Sequence, residues 1–226
     1  MGVIKTVGVL GAGFVVGAIV MFGIALVAVL ILGFMGYVPF LSDVMGTAKQ
    51  KDLGVKFSSA DYASGIAKIP GHTIKNASGA CLTCNYTSTG SVPVQDSFSQ
   101  EEFTAQMNAL NEEKGPIKDM QFKFNGDGSI EASGMSTDPN LKGPIYVKGI
   151  IDSFTTEGVE LNVEEAAFGN IGLSGEQLAM AEDYANQAIQ MFFAKNPGLS
   201  VDDISIGEGF IDFDGTFPKS IVGESN

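Results

Sequence analysis

The sequence has no tryptophan, one histidine (His72) and two cysteines (Cys81 and Cys84). Charge is sparse as well, at 17 % of residues. Each scarcity closes a route to function. A Ser–His–Asp triad has only His72 to use, in the loop stretch Pro70-Gly71-His72, and no glycine-flanked nucleophile elbow accompanies it. A zinc site needs four ligands, and Cys81-Leu82-Thr83-Cys84 offers two. No glycine-rich loop ends in Lys-Ser/Thr, so a phosphate cradle is not written. Lys and Arg number 13 against 26 Asp and Glu. There is no basic stripe to neutralise phosphates, which argues against nucleic acid. Carboxylates are plentiful, but most fall in turns or on polar faces, where solvation explains them. Asp127, in a glycine turn, and Asp212 and Asp214, alternating on one strand, do not meet the EF-hand ligand spacing. The expectation is a protein with no catalytic residues, cofactor or metal.

The longest absence is of charge itself. No residue from Thr6 through Ser42 is charged. That run far exceeds the roughly 20 apolar residues that cross a bilayer. It is also about twice the 7–15-residue apolar core of a cleaved signal peptide. Residues 1–40 are therefore expected to be an uncleaved single-pass transmembrane anchor in the lipid bilayer, with Tyr37, Pro39 and Phe40 at the interfacial exit. Gly13 and Gly17 have the small-xxx-small spacing that lets membrane helices approach, a face for other membrane subunits. Lys5 is the only charge before Asp43, so the remainder carries −14 of the net −13. An anionic cytoplasmic leaflet repels such a domain. The amino terminus is thus expected in the cytoplasm and the large domain outside it. Residues 41–52 read as a linker, 53–218 as the domain and 219–226 as a tail.

What is present is a six-residue grammar written three times: Phe57-Ser58-Ser59-Ala60-Asp61-Tyr62, Phe98-Ser99-Gln100-Glu101-Glu102-Phe103 and Leu173-Ser174-Gly175-Glu176-Gln177-Leu178. Each has Ser as a candidate N-cap, with Asp61, Glu102 or Gln177 three residues later. Apolar residues flank the box as a hydrophobic staple. Three helix starts follow, predicting helices over about Ser59–Ile69, Gln100–Lys114 and Gly175–Lys195. The last stops at Asn196-Pro197-Gly198. The first two hexamers begin 41 residues apart, which suits a partial internal duplication.

Between the helices the period becomes two. Met120, Phe122 and Phe124, then Ile130 and Ala132, then Ile145, Val147 and Ile151, then Val159, Leu161 and Val163 alternate with polar residues. Asn125-Gly126-Asp127-Gly128 and Glu157-Gly158 mark turns. This is a four-strand meander with one apolar face. A further hairpin turns at Gly207-Glu208-Gly209, and earlier strands are expected near Leu53–Phe57 and Leu82–Val94. The fold class is α+β: an N-terminal transmembrane helix, then a twisted antiparallel sheet packed against a long helix and two shorter helices.

Cys81 and Cys84 run into Asn85-Tyr86-Thr87, which reads as strand, whereas a thioredoxin-like motif belongs at a helix start. A local disulfide in an oxidising compartment is the plain reading, with free thiols the alternative. Asn76-Ala77-Ser78 and Asn85-Tyr86-Thr87 match the glycosylation sequon, which matters only in a glycosylating organism.

Gly143-Pro144-Ile145-Tyr146-Val147, Val159-Glu160-Leu161-Asn162-Val163, Phe168-Gly169-Asn170-Ile171-Gly172-Leu173 and Asn196-Pro197-Gly198-Leu199, leading to Phe213-Asp214-Gly215-Thr216-Phe217-Pro218, stand in a suggestive order. Over roughly residues 100–218 the chain resembles small bacterial single-pass membrane proteins whose outer domain is similar to half of a tubular lipid-binding (TULIP-like) module. The Cys81–Cys84 insert and the long apolar N-terminus depart from that pattern. The resemblance implies a curved sheet wrapped on a long helix with acyl chains between them. Phe122, Phe124, Ile145, Val147 and Leu161 would then face Tyr184, Ile189 and Phe192 across a groove for a lipid ligand. The same side chains suit a dry core equally. The leading expectation is non-enzymatic binding of lipid or another hydrophobic ligand. The alternative is a structural or assembly subunit of a membrane protein complex.

Overall fold

A computed structural model describes residues 49–69, 71, 73–75, 86–111, 117–137, 142–155 and 158–223. The expected anchor with Gly13 and Gly17 lies outside the described residues, as do His72, Cys81, Cys84 and the sequon asparagines. Among the described residues no helix is long and apolar enough to cross a membrane.

The elements run α1 (Ser59–Ala67), β1 (Thr73–Lys75), β2 (Tyr86–Ser99), α2 (Gln100–Asn111), β3 (Ile117–Phe124), β4 (Ser129–Ser136), β5 (Gly143–Thr155), β6 (Gly158–Phe168), β7 (Ile171–Gly172), α3 (Glu176–Lys195), β8 (Ser200–Gly207) and β9 (Phe210–Gly223). Among the described residues the class is α+β, with antiparallel sheets and three helices. Where one sheet was expected there are two. The meander is present as a five-stranded antiparallel sheet in the order β3-β4-β5-β6-β7. The C-terminal hairpin does not extend it. Instead β9 pairs antiparallel with β2 along one side and with β8 along the other, and beyond β8 it pairs parallel with β1. Residues 219–223, expected as tail, are therefore strand. Leu53 to Phe57, expected as a strand, precede α1 without forming one.

Two of the three capping boxes are built as written. Ser58 and Asp61 bond reciprocally at the start of α1, N–H to Oδ2 at 2.7 Å and Oγ from N–H at 3.4 Å. Ser99 and Glu102 do the same at α2, at 2.9 and 3.1 Å. The staples differ. Phe98 and Phe103 are fully buried, and Phe103 meets Phe122 and Phe124 edge-on at 4.8 and 5.3 Å. Phe57 is exposed. The third box fails. The N-cap of α3 is Gly175 at φ +54°, with no side-chain cap. A backbone that turns left-handed at that point is open to glycine and strained for other residues, so the entry to α3 is set by Gly175 rather than by Ser174.

α2 and α3 flank opposite edges of the meander sheet, and polar side chains spaced four apart bond the edge strands. On α2, Thr104 Oγ1 accepts from Phe122 N–H at 3.1 Å, and Asn108 accepts from Met120 N–H at 3.0 Å while donating to its carbonyl at 2.8 Å. On α3, Asn186 accepts from Leu161 N–H at 2.9 Å and donates to its carbonyl at 3.0 Å, and Glu182 accepts from Val163 N–H at 2.8 Å. Four helical residues rise about 6 Å and two strand residues about 6.6 Å, so the two ladders keep step. One continuous apolar core joins both sheets and α2 and α3.

Residues 50–53 lie over the outer face of the meander sheet. Gln50 donates to Asp119 O at 2.7 Å, beside the β3 bulge, and Leu53 N–H donates to Gln121 Oε1 at 2.8 Å. The last part of the expected linker is thus docked on the sheet.

Candidate functional site

The eight residues expected to line a lipid groove lie together, but as packed core. Phe122, Phe124, Ile145, Val147, Leu161 and Ile189 are at most 2 % exposed and Phe192 is 5 % exposed. Tyr184 is partly buried against the same cluster. Asn186 and Glu182 hold α3 on the β6 edge. Side chains chosen for their alternation are also those that a strand turns inward, so the pattern cannot separate a groove from a core. The Cys81–Cys84 disulfide lies outside the described residues.

Three shallow clefts open between described residues, and of the eight only Ile145 borders one. The first lies between the end of the β5–β6 hairpin and β8. Ile151, Phe154, Ile204 and Ile206 line it together with Gly128, Asp152 and Ser153, and its volume is about 260 Å³. Drug-sized ligand sites span roughly 300–1,000 Å³, so this space suits a side chain better than a lipid. Phe154 is 37 % exposed. Alternation alone misplaces it, because a bulge between Ile151 and Ser153 shifts the register to β6. The signal available in sequence was a phenylalanine among Asp152, Ser153 and Thr155, out of phase with Ile145 and Val147. Beside the cleft the β8–β9 and β3–β4 turns are tied together: Gly126 N–H donates to Glu208 Oε2 at 2.8 Å and Gly209 N–H to Phe124 O at 3.0 Å.

The second cleft, about 250 Å³, is acidic. Gln95, Asp96, Asp203, Asp212, Phe213 and Asp214 line it. Asp203 pairs in register with Asp214, and like charges facing each other across a ladder repel. None of the four carboxylates forms an ion pair among the described residues. Asp127 is instead folded onto its own turn, accepting from Ser129 N–H and Oγ at 2.9 and 2.6 Å, which holds its carboxyl below the usual range. Among the described residues no group of three or more His, Cys, Asp or Glu could hold a metal ion.

The third, about 170 Å³, is lined by Lys49, Lys51, Pro144, Ile145, Tyr146, Ala167 and Gly169. Lys51 Nζ lies 3.0 Å from Glu131 Oε2 and 3.5 Å above the Tyr146 ring. Tyr146 donates to the same Glu131 oxygen at 2.8 Å. Burial raises the Glu131 carboxyl, but bonds from Lys51, Tyr146 and Asn125 outweigh it and leave the group below its ordinary value. Burial first, then Glu131, push the Tyr146 phenol far up, so it stays a donor.

No family model, curated protein or solved structure matches this chain. Function is therefore argued from these three surfaces and the closed core.

Proposed function

We propose that this chain is a membrane-anchored, non-enzymatic assembly module, whose acidic extracytoplasmic domain docks a partner protein. The carrying observation is the Ile151–Phe154–Ile204–Ile206 cleft. It is a shallow hollow of mixed polar and apolar lining with a partly exposed phenylalanine, and carboxylates stand close by at Asp152 and Asp203. Buried aromatic anchors within a polar rim are how protein interfaces concentrate their affinity. The matching partner presents an apolar side chain flanked by Lys or Arg. Carriage of an acyl chain between sheet and long helix has less support, because its proposed lining is packed core.

The test places a photo-crosslinking phenylalanine analogue at position 154 in the full chain, in its own membrane. The expected result is one discrete protein adduct, lost when Ile206→Glu is added. An analogue at Lys219, on β9, serves as the control and gives none. Phe154→Ala is expected to weaken the association at least about tenfold. Lipid adducts alone, or equal protein adducts from both positions, would overturn the proposal.

A further inference from the structure

The β5–β6 hairpin outruns the strand beside it. β4 begins at Ser129, opposite Ile150, whereas β5 continues to Thr155. Over Ile151–Phe154 the β6 residues Leu161, Glu160 and Val159 stand in register on one side of β5. Among the described residues no strand lies on the other side. Asp152, Ser153 and Phe154 are exposed there. The cleft beside Phe154 opens along this same stretch, lined by Ile151, Asp152, Ser153 and Phe154 in succession. Successive side chains of a strand point to opposite faces, so a space bordered by four in a row runs along the strand's edge rather than over one face. Gly128, the residue before β4, borders it too, so it opens where β4 would have run on. An open edge of this kind is a template for a further strand. Across the cleft, Ile204 and Ile206 of β8 offer an apolar contact.

Charge decides what can occupy that edge. Asp152 stands at the β5–β6 bulge, Asp127 is next to Gly128, and Asp203 is next to Ile204. No Lys or Arg is among the described residues that line the cleft. Lys148, further back on β5, is held by Glu164 at 3.2 Å. A second copy of this chain would bring Asp152 against an equally acidic edge, and the chain carries a net −13. Like charges facing each other across a ladder repel. A bulge and a charge at an open edge are how sheets avoid pairing with themselves. A strand that places Lys or Arg opposite Asp152 turns the repulsion into attraction.

From this placement we infer that the partner docks as an extended, basic segment, adding a short strand to the Ile151–Phe154 edge of β5 in line with β4. Its apolar side chain lies against Phe154 and Ile206, and its Lys or Arg faces Asp152. This rests on the docking reading above and adds to it the form and charge of the partner. Four strand residues span about 13 Å. Over that length backbone hydrogen bonds fix the register, and the side chains select the sequence.

The test uses the full chain in its own membrane, with the photo-crosslinking analogue at position 206, across the cleft from an unaltered Phe154. Amide hydrogen exchange is compared by mass spectrometry between the crosslinked and the uncrosslinked chain. The expected result is a slowing of about tenfold or more within Asp152–Phe154, with Thr87–Val92 on the β2 edge unchanged. Asp152→Lys is expected to cut the adduct yield about tenfold, and Asp152→Asn to cut it less. A protein adduct without slowed exchange at Asp152–Phe154 overturns strand addition and leaves the docking reading standing. An adduct of twice this chain's mass, or a yield that Asp152→Lys leaves unchanged, overturns the basic partner. No protein adduct from position 154 or 206 overturns both.

Discussion

Among single residues, two glutamates bear more than their positions suggest. Glu102 completes the α2 capping box, and it also accepts from Lys68 at 2.7 Å and Ser64 at 2.5 Å, pinning α1 to α2. Burial raises its carboxyl, and the bonds from Lys68, Ser64 and Ser99 bring it below the ordinary value. Glu131 has the same balance. Groups that bind protons less tightly when folded stabilise the fold above the ordinary carboxyl pKa of 4.5, and that stability is lost as pH falls through their lower folded values. Urea midpoints are expected to hold near neutrality and to fall below about pH 4.5. Glu102→Gln is expected to cost about 1–3 kcal/mol at pH 7 and to flatten the acid slope. An unchanged slope would show that Glu102 is not one of the titrating groups. The capping role was legible in Phe98-Ser99-Gln100-Glu101-Glu102-Phe103. The tie to Ser64 and Lys68 was not, because it depends on α1 crossing α2. Gly198 shows the same divide. As part of Asn196-Pro197-Gly198 it marked a helix end, and α3 does end at Lys195. Yet a Cβ there would collide with the Gly90 carbonyl of β2, so the glycine also serves a close approach that sequence does not show.

At the scale of elements, the two helices beside the meander act as partners for its edges. Unpaired strand edges invite further strands. Here Thr104 and Asn108 cover β3, and Glu182 and Asn186 cover β6. Edge strand β2 is blunted differently: Pro93 has no N–H to offer, and Lys68 Nζ bonds the Ser97 carbonyl at 2.6 Å. Asn186→Leu removes the partner of both Leu161 backbone groups and is expected to cost about 1–3 kcal/mol. Asn186→Asp keeps the acceptor for the Leu161 N–H and is expected to fall between. Calorimetry of the series decides: a leucine variant as stable as the parent would show that the edge contact is incidental. The helices and strands themselves were largely legible, because each has its own period. Their mutual placement was not. Nothing in a 3.6-residue period says that the polar residues at 104, 108, 182 and 186 face a strand edge. The second sheet was missed for a related reason: β2 and β9 are paired across more than 110 residues of chain, and alternation names a strand without naming its partner.

For the whole molecule, the burial of the expected groove residues and the cleft beside Phe154 favour the proposed docking module over a lipid carrier. The groove was inferred from a resemblance and from alternation, and alternation is the same whether side chains meet or stand apart. The most direct measurement is the native mass of the full chain released from its membrane in mild detergent. A mass of this chain plus partner polypeptide in fixed ratio is expected, with the partner lost on Phe154→Glu. A single chain retaining one stoichiometric lipid through detergent exchange would contradict the proposal.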